Sequence, residues 1–393
     1  MDKLPAHSVR HPVLLLALLL VIDSFIIHIY WRDLNDDLSD HVLPWYRFIL
    51  EHGWLSAWGM RFSNYTPPYL YLLSVGTLAD RLLDPASIIR GISVSFNALG
   101  ALGVLWFARA YGWSRENAFY IAVAFFALPE IVVNGLIWGQ SDIIYTLLVA
   151  AFVCLVIARK GTIAMAAIGL AFAFKLQAVF IGPFLLYLYV VRALSLRQFL
   201  IAPLIYLVTM APAAAAGRGW VDLLSVYARQ ITEYRQLSLN APNPYVIVQY
   251  MLPISFDDVV VRVGLVIAAV VALVLVVAFV ARGREPARET LLFMATLNLA
   301  VVPYVLPEMH ERYFFPASVM AFLLAVARPR TWPVVVLIQA ADLLAYTRFL
   351  LNFRLLWVAI GVTLMTCAIA ALIWLFLRVP VESQSSSALE TGR

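Results

Sequence analysis

Long apolar runs, separated by short polar connections, recur from one end of the chain to the other. Runs of about 17 to 25 residues are long enough to cross a hydrocarbon core of roughly 30 Å as single helices. Only 13% of the 393 residues are charged, whereas roughly a quarter are charged in an ordinary soluble domain. These features predict an all-α polytopic membrane protein, folded as one domain over residues 1–378. The polar tail 379–393 is predicted to be disordered.

Basic connections between the runs predict how the chain crosses the membrane. Arginine and lysine concentrate in seven short connections, and positive charge near helix ends marks the cytoplasmic side. All seven can be cytoplasmic if the stretch Tyr69–Leu83, which follows two prolines, lies in the outer interface instead of crossing. This topology has about twelve membrane helices, cytoplasmic termini and external loops at 32–90 and 217–258. The predicted spans are 12–31, 91–110, 117–134, 142–158, 162–175, 177–191, 198–216, 259–281, 289–306, 313–327, 331–347 and 354–378.

Most polar segments fall on the external side of this topology, which favours a site at the outer face over a path through the membrane. The first external loop carries Asp36, Asp37 and Asp40 within five residues. Carboxylates in such a loop could act as a general base for an attacking hydroxyl. A solvated acidic start of a helix is the alternative interpretation.

Polar residues also interrupt two later apolar runs. The segment "IWGQSD" places Trp138, Gln140 and Asp142 at the start of a span, where the helix dipole alone favours a carboxylate. In "FKLQ", Lys175 and Gln177 divide an apolar run, and an unpaired lysine near the bilayer centre costs about 3 kcal/mol. At an outer turn, Lys175 requires an anion, either an acidic side chain such as Asp142 or a ligand phosphate. Snorkelling of this lysine to the interface is the alternative.

The segment "PEMHERYFFP", Pro307–Pro316, gathers four ionisable residues between two apolar runs. They are Glu308, His310, Glu311 and Arg312. One interpretation is an interfacial anchor; the other is a wall of a site in which Arg312 binds phosphate and a neighbouring glutamate orients it. The segment lacks the H-E-x-x-H order of zinc proteases, and both cysteines lie inside apolar runs, so neither a metal centre nor a disulfide is predicted.

Six segments of the chain, in order, are similar to motifs of a known family. They are "SDHVLPWYRFILEHG", "NYTPPYLYLL", "NGLIWGQSDIIYTLL", "FKLQAVFIGPF", "QITEYRQLSLNAPNPY" and "LPEMHERYFF". The chain therefore resembles the bacterial relatives of the GPI mannosyltransferase II type, within the GT-C superfamily of polytopic glycosyltransferases. The resemblance implies transfer of a hexose, with mannose as one candidate, from a polyprenyl-phosphate carrier to an acceptor hydroxyl outside the cytoplasm.

The resemblance also implies roles for individual residues. Asp37, seven residues before the "PW" pair, matches the catalytic base, with Asp36 and Asp40 as close neighbours. The candidates for the donor phosphate are Lys175, Arg312 and His310. The candidates for other substrate contacts are Asn64, Tyr65, Trp138, Gln140, Asp142, Gln177, Gln230, Tyr234, Asn240, Asn243, Glu308 and Glu311.

The expected partners are a polyprenyl-phosphate sugar, an acceptor that is a glycan, a lipid or a protein, and the lipids of a bacterial inner membrane. No cofactor, metal or nucleic acid is expected. Two other function classes stay open at this stage. A lipid-linked glycan transporter or flippase predicts essential polar groups at both faces, and a polysaccharide polymerase or ligase predicts a large late external loop with arginines. The sequence specifies neither the sugar nor the acceptor.

Overall fold

The computed structural model describes residues 35–230, 236–251, 258–284, 286–352 and 354–379, and most of these are helical. The helices are α1 (Leu43–His52), α2 (Trp54–Trp58), α3 (Pro67–Gly76), α4 (Pro85–Ala110), α5 (Arg115–Phe126), α6 (Pro129–Val132), α7 (Asp142–Ile157), α8 (Gly161–Phe174), α9 (Gly182–Val190), α10 (Leu196–Phe199), α11 (Ile201–Ala215), α12 (Trp220–Leu224), α13 (Val226–Gln230), α14 (Pro244–Met251), α15 (Asp258–Val280), α16 (Arg288–Val305), α17 (Phe315–Ala327), α18 (Trp332–Leu351) and α19 (Leu355–Leu377). The strands are β1 (Ser238–Leu239) and β2 (Met309–His310). The first predicted span, 12–31, and tail residues 380–393 lie outside the described residues.

Five helices of the described residues are long and apolar enough to cross a membrane, and a bent pair makes a sixth. The five are α4, α10 together with α11, α15, α18 with the short turn before it, and α19; the bent pair is α5 with the segment Pro129–Ile137. These helices agree with a polytopic membrane protein, but they are fewer than the predicted twelve. The helices α7, α8, α9 and α17 are apolar but shorter. At 1.5 Å per residue, 16 residues cover only about 24 Å of a hydrocarbon core of roughly 30 Å.

The helix that follows the first polar loop begins earlier than the predicted span 91–110. The stretch after Pro67 and Pro68 forms α3 and a 3₁₀ turn, Thr77–Ala79, and so is too short to cross, as expected. The next helix, α4, begins at Pro85 and not after Arg90. The Asp84 side chain caps it by accepting a hydrogen bond from the Ser87 amide at 3.0 Å, which fixes the start of the helix.

The helix α17 lies at the centre of the described bundle. Every residue from Phe315 to Val326 is buried, so the helix is apolar on all sides. It packs against α7, α16 and α18. By contrast, α15 leaves most of its valines and leucines exposed, as expected of a helix that contacts lipid.

A two-stranded parallel sheet holds the segment that follows α16. Leu239 of β1 lies opposite His310 of β2. The Glu308 amide donates to the Leu237 carbonyl at 2.8 Å. The Glu311 amide donates to the Leu239 carbonyl at 3.0 Å. The sheet therefore fixes the backbone of "PEMHERY" against the middle loop of the chain.

Candidate active site

A cavity of about 380 Å³ opens where the first loop, the turn between α8 and α9, and the segment after α16 meet. This volume lies within the range of about 300 to 1,000 Å³ that is usual for ligand sites. The cavity is lined by ten of the residues predicted from the sequence. These are Asp37, Asn64, Tyr65, Gln140, Lys175, Gln177, Gln230, Glu308, His310 and Arg312.

Asp37 is the carboxylate of the first loop that faces the cavity. Its Oδ2 accepts hydrogen bonds from Trp138 Nε1 at 3.0 Å and from Gln140 Nε2 at 2.8 Å. Arg312 Nη1 donates to the same oxygen at 3.1 Å. Among the described residues, no side chain donates to the other oxygen, Oδ1. Three donors on a single oxygen fix the plane of the carboxyl group.

Two π-helical turns place these groups. Asp37 immediately precedes the turn Leu38–Val42, and Trp138 immediately follows the turn Val133–Ile137. Such turns occur often at functional sites because they redirect a side chain. The Asn35 side chain joins them, since its amide donates to the Trp138 carbonyl at 3.1 Å.

Gly139 allows Trp138 and Gln140 to reach the same carboxylate oxygen. It lies in the left-handed region at φ 75°, where a residue with a Cβ is disfavoured. The chain after it is held by a hydrogen bond from the Ser93 hydroxyl to the Gln140 carbonyl at 2.7 Å. The backbone therefore bends between the two donors.

Lys175 forms a buried ion pair with Asp142. Its Nζ lies 2.6 Å from Asp142 Oδ1, and the two side chains are 8% and 1% exposed. Asn134 Nδ2 donates to the other Asp142 oxygen at 3.0 Å. The sequence suggested two anions for Lys175, an acidic side chain such as Asp142 or a ligand phosphate. The fold provides the first of these, the Asp142 carboxylate. Both Asp142 oxygens are engaged in this way, so Asp142 positions a cation and is not among the residues that line the cavity. Its predicted substrate contact stays a prediction.

Arg312 contacts three carboxylates at once. Besides Asp37, its Nη1 contacts Glu311 Oε1 at 3.1 Å, and its Nε lies 3.9 Å from Asp142 Oδ2. The guanidinium carbon lies 5.3 Å from the centre of the Trp138 ring, within the range of a cation–π contact. Burial lowers the pKa of Arg312, but Asp37, Glu311 and Asp142 together hold it well above its usual range. Glu311 is thus a glutamate that orients Arg312.

Burial shifts the pKa values of Glu311 and His310, the two titratable residues just before Arg312. It raises the pKa of Glu311 to about 7, although Arg312 opposes this shift. Burial, with Arg312 and Lys175 nearby, holds the pKa of His310 well below its usual range. His310 is therefore a neutral imidazole at neutral pH. It can offer a hydrogen bond, but not a positive charge, to a donor phosphate, and its predicted phosphate contact stays a prediction.

Several other predicted residues do not line the cavity. Asp36 and Asp40 are exposed, because the turn after Asp37 directs only Asp37 inward. Trp138 and Glu311 do not line the cavity. They contact Asp37 and Arg312, respectively, which do line it. Asn240 bridges His310 through its backbone, and the Asn243 amide donates to the carbonyls of Pro303 and Leu306. Tyr234 lies outside the described residues.

The sequence interpretation missed Asn35 and Asn134, which join the loops of the site. Asn134 could have been identified from the sequence, since it is a polar residue inside an apolar run. Asn35 could not, because it is one of many polar residues in the first loop. No group of three or more His, Cys, Asp or Glu side chains is arranged to hold a metal ion in the part of the chain that is described. Metal independence stays a prediction.

Comparison with known proteins gives one assignment. The family model of glycosyltransferase family 87 matches residues 62–307, more than half of the chain. The matched region contains Gln140, Asp142 and Lys175, whereas Asp37 precedes it and Arg312 follows it. No curated protein matches the chain. The match agrees with the predicted class of polytopic membrane glycosyltransferases but does not extend to the GPI mannosyltransferase II type. The chain belongs to glycosyltransferase family 87.

Proposed function

We propose that this membrane glycosyltransferase moves a hexose, with mannose as the first candidate, from a polyprenyl-phosphate donor to an acceptor hydroxyl on the non-cytoplasmic face. The observation that carries the proposal is a single cavity that holds an oriented carboxylate, Asp37, together with two cations, Lys175 and Arg312. A carboxylate suits the attacking hydroxyl, and the cations suit the leaving phosphate.

The reaction we propose is a single displacement. The acceptor oxygen attacks the anomeric carbon while the bond from that carbon to the phosphate oxygen breaks. The electron pair of this bond leaves with the polyprenyl phosphate, and Asp37 takes the proton of the acceptor hydroxyl. Asp37 Oδ1 is the atom we assign to this proton, because Oδ2 already accepts three hydrogen bonds.

The two cations fit the charge that develops on the donor phosphate. As the glycosidic bond breaks, the phosphate gains negative charge, so a fixed cation stabilises the transition state more than the bound donor. Asp142 lies between the cations, since its oxygens are 2.6 Å from Lys175 Nζ and 3.9 Å from Arg312 Nε. In this proposal Lys175 and Arg312 bind the phosphate without a metal ion, and the phosphate takes over part of their contacts with the carboxylates.

The apolar rim of the cavity supports a lipid carrier. Val179 and Leu265 line the cavity, yet they are 52% and 49% exposed on the outer surface of the bundle. Leu265 belongs to α15, the helix that exposes most of its apolar side chains. A polyprenyl chain could therefore lie between α15 and the turn before α9 while its phosphate reaches Lys175.

The test of the base is an Asp37→Asn substitution. The donor probes are radiolabelled polyprenyl-phosphate mannose, glucose and galactose, with a glycolipid extract of the native membrane as acceptor. We expect transfer to fall by roughly 100-fold or more, because a general base contributes at least this factor. Asp40→Asn, an exposed neighbour, is the matched control and should keep its activity. Equal loss in the two variants, or full activity of Asp37→Asn, would contradict the assignment.

The donor class is tested with the same enzyme. Sugar nucleotides of the same hexoses replace the polyprenyl-phosphate sugars, and transfer is measured from each. We expect transfer only from the lipid-linked donors. Transfer from a sugar nucleotide alone would exclude the lipid donor while leaving the glycosyltransferase assignment intact.

A further inference from the structure

A second cavity, of about 740 Å³, lies at the opposite ends of the helices that carry the candidate active site. The helices α7, α8, α9 and α16 each have one end near the first cavity and the other at the second. None of the residues that line it takes part in the proposed reaction. The second cavity is therefore a separate feature at the other face of the bundle.

The second cavity is strongly basic. Its described lining includes four arginines and no acidic residue. The arginines are Arg159, Arg192, Arg284 and Arg288. Glu289 follows Arg288 but is not part of the lining, and Glu285 lies outside the described residues. Arg284 is held at the end of α9, where its Nε donates to the Val191 carbonyl at 2.9 Å.

Two of the arginines occupy backbone positions that favour glycine. Arg159 and Arg192 follow the C-termini of α7 and α9 and lie in the left-handed region, at φ 57° and 58°. Each is followed by an amide that bonds back to the helix, from Lys160 to Leu155 and from Ala193 to Leu188, as in the usual C-terminal capping motif. Glycine would fit both positions with less backbone strain. The presence of an arginine at each position therefore carries a local conformational cost.

We propose that this cavity binds a phosphate-bearing anion, the head group of an anionic phospholipid. Arginine offers several donors in a planar fork and binds phosphate in a bidentate manner. Basic pockets between the ends of membrane helices are suited to such head groups. Val190 and Leu196, beside the cavity, are 50% and 63% exposed, so acyl chains have an apolar surface next to the charge. The helix dipoles account for Arg159, Arg192 and Arg284, which follow the C-termini of α7, α9 and α15, but they disfavour Arg288, which begins α16.

The test removes two guanidinium groups without disturbing the backbone. In an Arg159→Gly, Arg192→Gly double variant, both positions take a residue that prefers the left-handed conformation, so we expect the fold to be retained. Arg115→Ala is the matched control, since Arg115 is an exposed arginine that does not line the cavity. The intact proteins are placed in nanodiscs of mixed phosphatidylglycerol and phosphatidylcholine, and the lipids retained after extraction are counted by native mass spectrometry.

We expect the wild-type protein and Arg115→Ala to retain phosphatidylglycerol preferentially, and the double variant to lose this preference by roughly tenfold. Equal retention of both lipids by the wild type, or the same loss in Arg115→Ala, would overturn the proposal. In a second arm, millimolar inorganic phosphate is added to the wild-type nanodiscs. Displacement of phosphatidylglycerol by inorganic phosphate would assign the site to a soluble anion and contradict the proposal that its ligand is a phospholipid head group.

Discussion

At the scale of single residues, the electrostatics of the site depend on which carboxyl groups contact Arg312 and Lys175. Asp37, Asp142 and Glu311 all contact Arg312, and Asp142 also contacts Lys175. Arg312 therefore shares its charge among three carboxyl groups before a donor binds. A donor phosphate then adds negative charge beside Glu311 and disfavours its ionised form.

The pH dependence of donor binding tests this arrangement. Burial raises the pKa of Glu311 to about 7, so the side chain is neutral below this pH and ionised above it. Ionised Glu311 competes with the phosphate for Arg312, and we expect donor affinity to fall as pH rises through 7. The measurement is the donor KM of the wild type and of Glu311→Gln between about pH 6 and 8.5.

Glu311→Gln should show little dependence on pH over this interval, because the titrating group is absent. Glu308→Gln, in the same segment, is the control and should keep the dependence of the wild type. If the wild type and Glu311→Gln gave parallel profiles, the titration would belong to another group.

At the scale of elements, a polar network joins α6 to α18 behind the site. Tyr346 donates to Glu130 Oε1 at 3.1 Å, and Gln339 Nε2 donates to Glu130 Oε2 at 3.0 Å. The Tyr346 ring packs edge-on against Trp138, with ring centres 5.2 Å apart. All four side chains are at most 7% exposed. The short helix α6 and its π-helical turn are thus anchored to a membrane helix more than 200 residues later in the chain.

A Glu130→Ala substitution tests this anchor. It removes the acceptor of two buried donors, and each unsatisfied buried donor costs about 1 to 3 kcal/mol. We expect a clear fall in the apparent Tm of the purified protein in detergent, followed by thermal unfolding. Glu116→Ala, an exposed glutamate in the first turn of α5, should change the Tm little. Similar Tm values for the two variants would show that the network contributes nothing to stability.

At the scale of the whole molecule, the two cavities lie at opposite ends of one helical bundle. The candidate active site contains the polar loops, and the second cavity contains the basic connections. The helix α7 alone separates them by about 24 Å, since its 16 residues rise 1.5 Å each. The predicted topology places these two ends on opposite sides of the membrane.

Cysteine labelling tests the topology. Cys154 and Cys367 are first replaced by alanine, and Glu51→Cys or Lys160→Cys is then introduced at an exposed position near either end. In intact cells, a membrane-impermeant maleimide should label Glu51→Cys, whereas Lys160→Cys should react only after permeabilisation. Labelling of both positions from the same side would contradict the topology and the external site.

The sequence by itself determined the class of fold and many residue types of the site. Apolar runs and their basic connections are local patterns, so membrane helices could be predicted from them, although the short helices α7, α8, α9 and α17 were counted as full spans. Motif similarity indicated the glycosyltransferase class and the importance of Asp37, Lys175 and Arg312. Each of these inferences uses residues that are close in the chain.

Only the tertiary structure decided which of these residues meet. The Asp37 carboxylate contacts Trp138 and Arg312, which lie 101 and 275 residues away in the sequence. The spacing to the "PW" pair matched Asp37 but left Asp36 and Asp40 as close neighbours. The π-helical turn and the donors from distant segments distinguish Asp37 from both. The neutral state of His310 also follows from burial, which the packing of the bundle creates. Long-range contacts therefore decide which charged groups meet, within a set of residues that the sequence had already indicated.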